Sequence, residues 1–210
     1  MYTSAMNERP YHHGDLRRAL IDAAIDLVEE RGHHALSLRE AARRVGVSPG
    51  APYRHFPNKR ALLVAVATEL NERHSAMVQE VAAELEPGLL SAFRAHALAG
   101  ARIATRHPQL YRLMTSPETM AVAAEAWTDV AQAQREGMLD LLRQAQQAGE
   151  LAPGPVEPML LAGQAISNGL LRMVVDGQLC MMGIDSEGRI EELMMAVTEV
   201  LADGLRPRGS

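Results

Sequence analysis

Aromatic side chains are nearly missing from this sequence, at 3% of 210 residues, and β-branched clusters are few. No extended run alternates apolar and polar residues, so a half-buried sheet is excluded. Ala, Leu and Met fill the gap within an apolar fraction of 47%, a mixture that favours closely packed helices. The fold class expected is all-α. One cysteine, Cys180, excludes an intramolecular disulfide framework and suits a reducing compartment. No apolar run approaches the ~20 residues that span a bilayer. The opening MYTSAMNERP lacks the charged-then-apolar order of a signal peptide. The chain is therefore expected to be cytoplasmic, with no membrane partner. HExxH spacing, Gly-rich phosphate loops, nucleophile elbows and paired carboxylates are all missing, and Cys180 has no His partner signature. Neither an enzyme nor a cofactor or metal is expected.

What is present is unevenly distributed. The net charge is −5, which taken alone argues against nucleic acid. Residues 1–60, however, hold ten Arg or Lys against seven Asp or Glu, and residues 61–210 hold eleven against nineteen. Charges beyond a Debye length of roughly 8–10 Å are largely screened, so a basic N-terminal face can meet phosphates despite an acidic body.

That basic region contains SLREAARRVGVSPGAPYRHFPNKRALL, residues 37–63. Leu38, Ala41, Ala42 and Val45 fall at i, i+3, i+4 and i+7, one face of a helix. Ser37 and Glu40 have capping-box spacing. Gly46 suits the left-handed end of that helix, with Val47 folding back. Ser48-Pro49 then signals a second start. Helix, short Gly-containing turn and second helix together make a helix-turn-helix.

Gly46-Val47-Ser48, Tyr53-Arg54-His55-Phe56, Lys59 and Leu62-Leu63, in this order and spacing, carry a resemblance to the TetR/AcrR family of bacterial transcriptional regulators. It runs from about Tyr11 to Val66. The resemblance implies about nine helices, with an N-terminal three-helix DNA-binding domain over residues 11–60 and a C-terminal helical domain over 61–205 for effector binding and dimerisation. The segment RHPQLYRLMTSP, residues 106–117, further resembles a TetR subgroup named for a Trp-His-Gly pattern. Where that subgroup often has His-Gly in a later helix, this chain has Asn168-Gly169.

Major-groove readout needs a helix N-terminus aimed at base edges and flanking donors on phosphates. Ser48, Pro49, Gly50 and Ala51 lead the second helix. They are small, allow close backbone approach and offer a methyl to thymine, but few hydrogen bonds. Tyr53 and His55 supply an O–H and a ring N–H, and Arg54 suits phosphate or solvent. Lys59, the chain's single lysine, sits where a helix start favours an anion. The resemblance implies phosphate contacts for Tyr53, His55 and Lys59, and a cap near the backbone for Ser37. Arg39 occupies a position that reads a base in some relatives. Arg43 and Arg44 suit a solvated face or non-specific contacts. Phe56 is expected in the core with Leu20, Leu27 and Val45. The pair His12-His13 reads as part of a basic N-terminal arm.

By pattern, helices cover about 15–31, 58–85, 89–106, 109–115, 118–148, 157–182 and 186–205, besides the two of the helix-turn-helix. A seam is expected at Glu86-Pro87-Gly88. Phe93, His96, Met114, Trp127 and Met138 are candidate effector-binding residues, since Met suits a pocket for varied apolar ligands; plain core packing explains the same spacing. One helix-turn-helix reads few base pairs, so a homodimer on a palindromic operator in double-stranded DNA is expected. The faces Leu160, Leu161, Ala165, Leu171, Val175 and Ile190, Leu193, Met194, Val197, Leu201 are its candidate interface, and the resemblance implies an intersubunit four-helix bundle. The functional expectation is a repressor released by a small, mostly apolar effector of unknown identity. A helical protein–protein adaptor and a ligand-independent DNA-binding protein stand as alternatives.

Overall fold

The computed structural model describes residues 13–86 and 91–207, with side chains from residue 16 onward. The described residues form ten α-helices and two 3-10 turns, without strands. Helix α1 (His13–Arg31) buries Leu20, Ala24, Leu27 and Val28 completely, the periodic face read from the sequence, and Leu16 packs against the same cluster. Gly32 ends it at φ 83°, a left-handed value that costs a residue without Cβ little. A 3-10 turn (His33–Ala35) leads into α2 (Leu38–Val45). A second 3-10 turn (Ala51–Arg54) leads to α3 (Lys59–Glu84). Asn58 caps α3, its side-chain oxygen accepting from the Ala61 N–H at 2.9 Å.

The body follows as α4 (Ser91–Arg106), α5 (Pro108–Met114), α6 (Pro117–Ala126), α7 (Thr128–Gln147), α8 (Val156–Val175), α9 (Gln178–Met181) and α10 (Glu187–Leu205). Two expected helices are divided. The stretch 118–148 breaks at Trp127, with φ −128° and ψ 23°. No glycine or proline marks this break. Trp127 closes α6 by donating to the Ala123 carbonyl and opens α7 by accepting from the Ala131 N–H. The stretch 157–182 breaks at Gly177, left-handed at φ 73°. The expected seam at 86–88 falls largely outside the described residues, as does His12.

Two main cores result. One gathers Leu20, Leu27, Leu38, Phe56, Leu62 and Val66 with Leu110, Leu113 and Val122, so α5 and α6 help to close the N-terminal unit. The other sets α4 against α3, α8 and α10 around Leu98, Leu171, Ile190 and Met194. Helix α8 approaches α4 closely: a Cβ on Gly163 would lie 2.7 Å from the Phe93 ring, and one on Gly100 2.8 Å from Leu171.

The apolar faces assigned to a dimer interface are divided by this packing. Leu171, Val175, Ile190 and Met194 are buried within the chain because α8 and α10 cover their own α4, and Leu160 is buried beside Leu139 of α7. Leu193, Val197 and Leu201 are half-buried, and Ala165 is exposed. Leu161 on α8 and Val200 on α10 face outward, 66% and 74% exposed.

Candidate nucleic-acid interface

Helix α2 ends in a two-bond glycine cap. Gly46 takes the left-handed conformation at φ 79° and ψ 27°. Its N–H donates to the Arg43 carbonyl at 3.3 Å, and the Val47 N–H donates to Ala42 at 3.0 Å. This pair of bonds is the Schellman arrangement, and it turns the chain back toward the second half of the motif.

That second half is tighter than the helix expected. The Ala51 N–H donates to the Ser48 carbonyl at 3.0 Å, a bond that an α-helix would take from residue 52. Pro52 has no N–H to give, so the segment winds as a 3-10 turn. It closes where the His55 and Phe56 N–H groups both donate to the Pro52 carbonyl at 2.9 Å. The Ser48 side chain caps nothing here, since Gly50 occupies the cap position without a side-chain bond. The expected capping box of α2 is also missing. Ser37 makes no side-chain cap bond, and Glu40 is drawn instead to Arg43 at 2.9 Å and Arg31 at 3.6 Å. Two arginines that can reach it outcompete a neutral backbone donor.

The turn exposes Ser48, Pro49, Gly50 and Arg54, leaves Ala51 and His55 half-buried and buries Pro52. Tyr53 is 48% exposed, so its ring is half packed. Phe56 is 2% exposed, in the core as expected. Lys59 is the exposed first residue of α3, and Arg39 is exposed in the first turn of α2; Ser37 is half-buried.

Ion pairing sorts the basic residues around the motif. Arg44 grips Glu30 of α1 with two hydrogen bonds, at 2.8 and 2.5 Å. That contact holds the Glu30 carboxyl below its ordinary range and pins α2 to α1. Arg43 is held by Glu40. Arg60, next to Lys59, pairs with Glu125 of α6 at 2.5 Å. Among the described residues Arg39, Arg54 and Lys59 meet no carboxylate within ion-pair distance, so their donors remain available to an anion. Arg17 on α1, which no local spacing singles out, places its guanidinium 5.4 Å from the centre of the Phe56 ring.

The five candidate effector residues have different surroundings. Phe93 packs on Gly163. Met114 touches both main cores, and Met138 belongs to a small cluster with Leu139, Val156 and Leu160. Trp127 is half-buried at the α6–α7 break. His96 pairs instead with His74 of α3, ring centres 5.9 Å apart. Burial, and then the neighbouring His96, push the His74 imidazole below its ordinary value.

Known proteins match this architecture in two ways. Residues 20–66 match bacterial regulatory proteins of the tetR family. Over 58 residues the chain is 43% identical to tetracycline repressor protein class D of Escherichia coli, a stretch covering 28% of this chain and 27% of that repressor. The chain thus spans about a quarter of the length of the curated relatives it matches. A protein of unknown function from Rhodococcus sp. RHA1 shares the whole fold, with TM-score 0.73 and 29% identity over 95% of this chain and 100% of that one. A TetR family transcription regulator from Marinobacter aquaeolei VT8 has TM-score 0.61 and 19% identity over 92% of this chain and 96% of its own. Residues 20–66 thus match the tetR-family unit, and the all-helical fold around them is shared with a solved TetR family transcription regulator.

Proposed function

We infer that the protein is a sequence-specific DNA-binding transcriptional regulator, a repressor that a small, mostly apolar effector releases from a palindromic operator. The observation that carries this reading is the set of exposed, internally unpaired cations Arg39, Arg54 and Lys59 around the glycine-capped turn. In it, Arg39 reads a base from the first turn of α2. Tyr53, His55 and Lys59 grip phosphates, with Arg54 beside them, and the small Ser48-Pro49-Gly50-Ala51 edge lets backbone approach the groove. Ser37 lies at the rim. The DNA-binding unit is assigned to residues 11–60 and the effector and dimer functions to 61–205. The repressor sign is taken from the matched tetracycline repressor, and the Trp-His-Gly subgroup from residues 106–117.

Two copies are needed to read a palindrome, and the exposed Leu161 and Val200 suit burial against a second copy. An effector would act through Phe93, His96, Met114, Trp127 or Met138. Met114 is the best placed of these, because it touches both the body core and the core of the DNA-binding unit. In vitro selection from a random DNA pool tests the reading. Enrichment of one palindromic sequence is the expected result, and no enrichment above non-specific binding overturns it. Titration of apolar ligands into the selected complex then tests release, with a coupling of about 1–3 kcal/mol expected.

A further inference from the structure

We propose that Arg17 is a further phosphate-contacting residue of the DNA interface, held there by a cation–π contact with Phe56. The inference rests on the DNA-binding reading above.

Most arginines of the N-terminal unit are already engaged. Arg18 binds Glu69 at 2.6 and 2.9 Å and Asp22 at 3.1 Å. Arg31 and Arg43 share Glu40, Arg44 takes Glu30, and Arg60 takes Glu125. A phosphate would have to displace those carboxylates. Arg17 is exposed and, among the described residues, meets no carboxylate within ion-pair distance. Glu72 lines the same groove of about 550 Å³ between α1 and α3, yet it forms no ion pair with Arg17.

What holds Arg17 is a ring. Its guanidinium carbon lies 5.4 Å from the Phe56 centroid, within cation–π range. Phe56 is fixed in the core and directly follows His55, and it precedes the Asn58 cap and Lys59. Arg17 and His55 line one groove. The cation therefore belongs to the same edge of the molecule as the phosphate-gripping turn, although it comes from a different helix. A cation–π contact uses none of the guanidinium's hydrogen-bond donors, and with no carboxylate paired to it among the described residues the planar fork of Arg17 remains available to phosphate oxygens. A lysine would lack this fork.

The test measures binding to the selected operator and to random DNA as a function of salt concentration. Each phosphate neutralised adds about 0.9 to the slope of log affinity against log salt. Arg17→Gln is expected to make the slope shallower by about that amount per protomer, equally on both DNAs. Arg17→Lys should keep the slope, and Arg18→Gln, the paired neighbour, should leave it unchanged. Arg17→Met keeps an apolar stem on Phe56 and repeats the measurement should Gln loosen the fold. An unchanged slope in a folded, uncharged Arg17 variant, while Lys59→Gln flattens it, overturns the assignment and leaves the DNA-binding reading standing. A wild-type protein with no salt-dependent DNA binding would take down both.

Discussion

Arg39 and Lys59 carry the same charge and should fail differently when removed. A bidentate arginine on guanine discriminates by about 1–3 kcal/mol, whereas a lysine at a helix start meets phosphate as a point charge. Arg39→Ala is therefore expected to cost about 1–3 kcal/mol on operator alone and to relax preference at one base pair. Lys59→Ala should weaken operator and random DNA alike. Competition binding on operator variants separates the two outcomes, and loss of affinity on random DNA by Arg39→Ala would contradict its role. The His74–His96 pair makes a residue-scale prediction of another kind. Burial lowers the His74 imidazole below its ordinary value of 6.5. His96, more open to solvent, is lowered by desolvation as well. Below pH 6.5 the unfolded chain then binds more protons than the folded one, so stability falls as pH drops through that window. His74→Gln should flatten the decline in urea melts taken between pH 7 and pH 5. An equal slope in wild type and variant would assign the acid sensitivity elsewhere.

At the scale of elements, the two caps of the motif are not equivalent. Asn58 accepts from the Ala61 N–H at 2.9 Å, whereas Ser37 makes no cap bond. Asn58→Ala should therefore cost about 1 kcal/mol, the ordinary value of an N-cap, and Ser37→Ala only a few tenths. Thermal melts of both variants check this, and equal losses would refute the difference. Ser37 also marks the limit of what could be read from sequence. Cap spacing identifies residues able to bond, but Glu40 had two arginines in reach that spacing alone does not weigh. Glycine-set boundaries were legible: Gly32 and Gly46 both sit left-handed where the helices were expected to stop. The break at Trp127 was not, because no glycine or proline stands there to mark it in the sequence. The cation–π contact of Arg17 with Phe56 lay beyond reach, since it joins residues 39 positions apart in sequence.

For the whole molecule, the decisive feature is how the cores are shared. Leu110, Leu113 and Val122 belong to the core of the N-terminal unit, so a shift of α5 or α6 cannot leave the helix-turn-helix where it was. The Arg60–Glu125 pair adds a second tie, beside Lys59 itself. In the proposed reading bases are read through Arg39 and phosphates through the turn, and the spacing of two such units is set when a second copy docks. On that reading the self-association face lies on α8 and α10 outside the residues that pack on α4, where Leu161, Ile166 and Val200 are the exposed large apolar side chains and Leu161 and Val200 the most open of them. Burying a leucine contributes about 1.5–3 kcal/mol, and an isologous interface counts each residue twice. Leu161→Glu should thus raise the dimer dissociation constant at least about 100-fold, every 1.4 kcal/mol being a factor of ten. Light scattering at micromolar concentration should show a dimer for wild type and a monomer for the variant. Circular dichroism should stay the same, because Leu161 contributes little to the chain's own core. Operator affinity should fall in parallel while random-DNA binding per protomer holds. A dimeric Leu161→Glu protein, or a monomeric wild type, would place the second copy on another face.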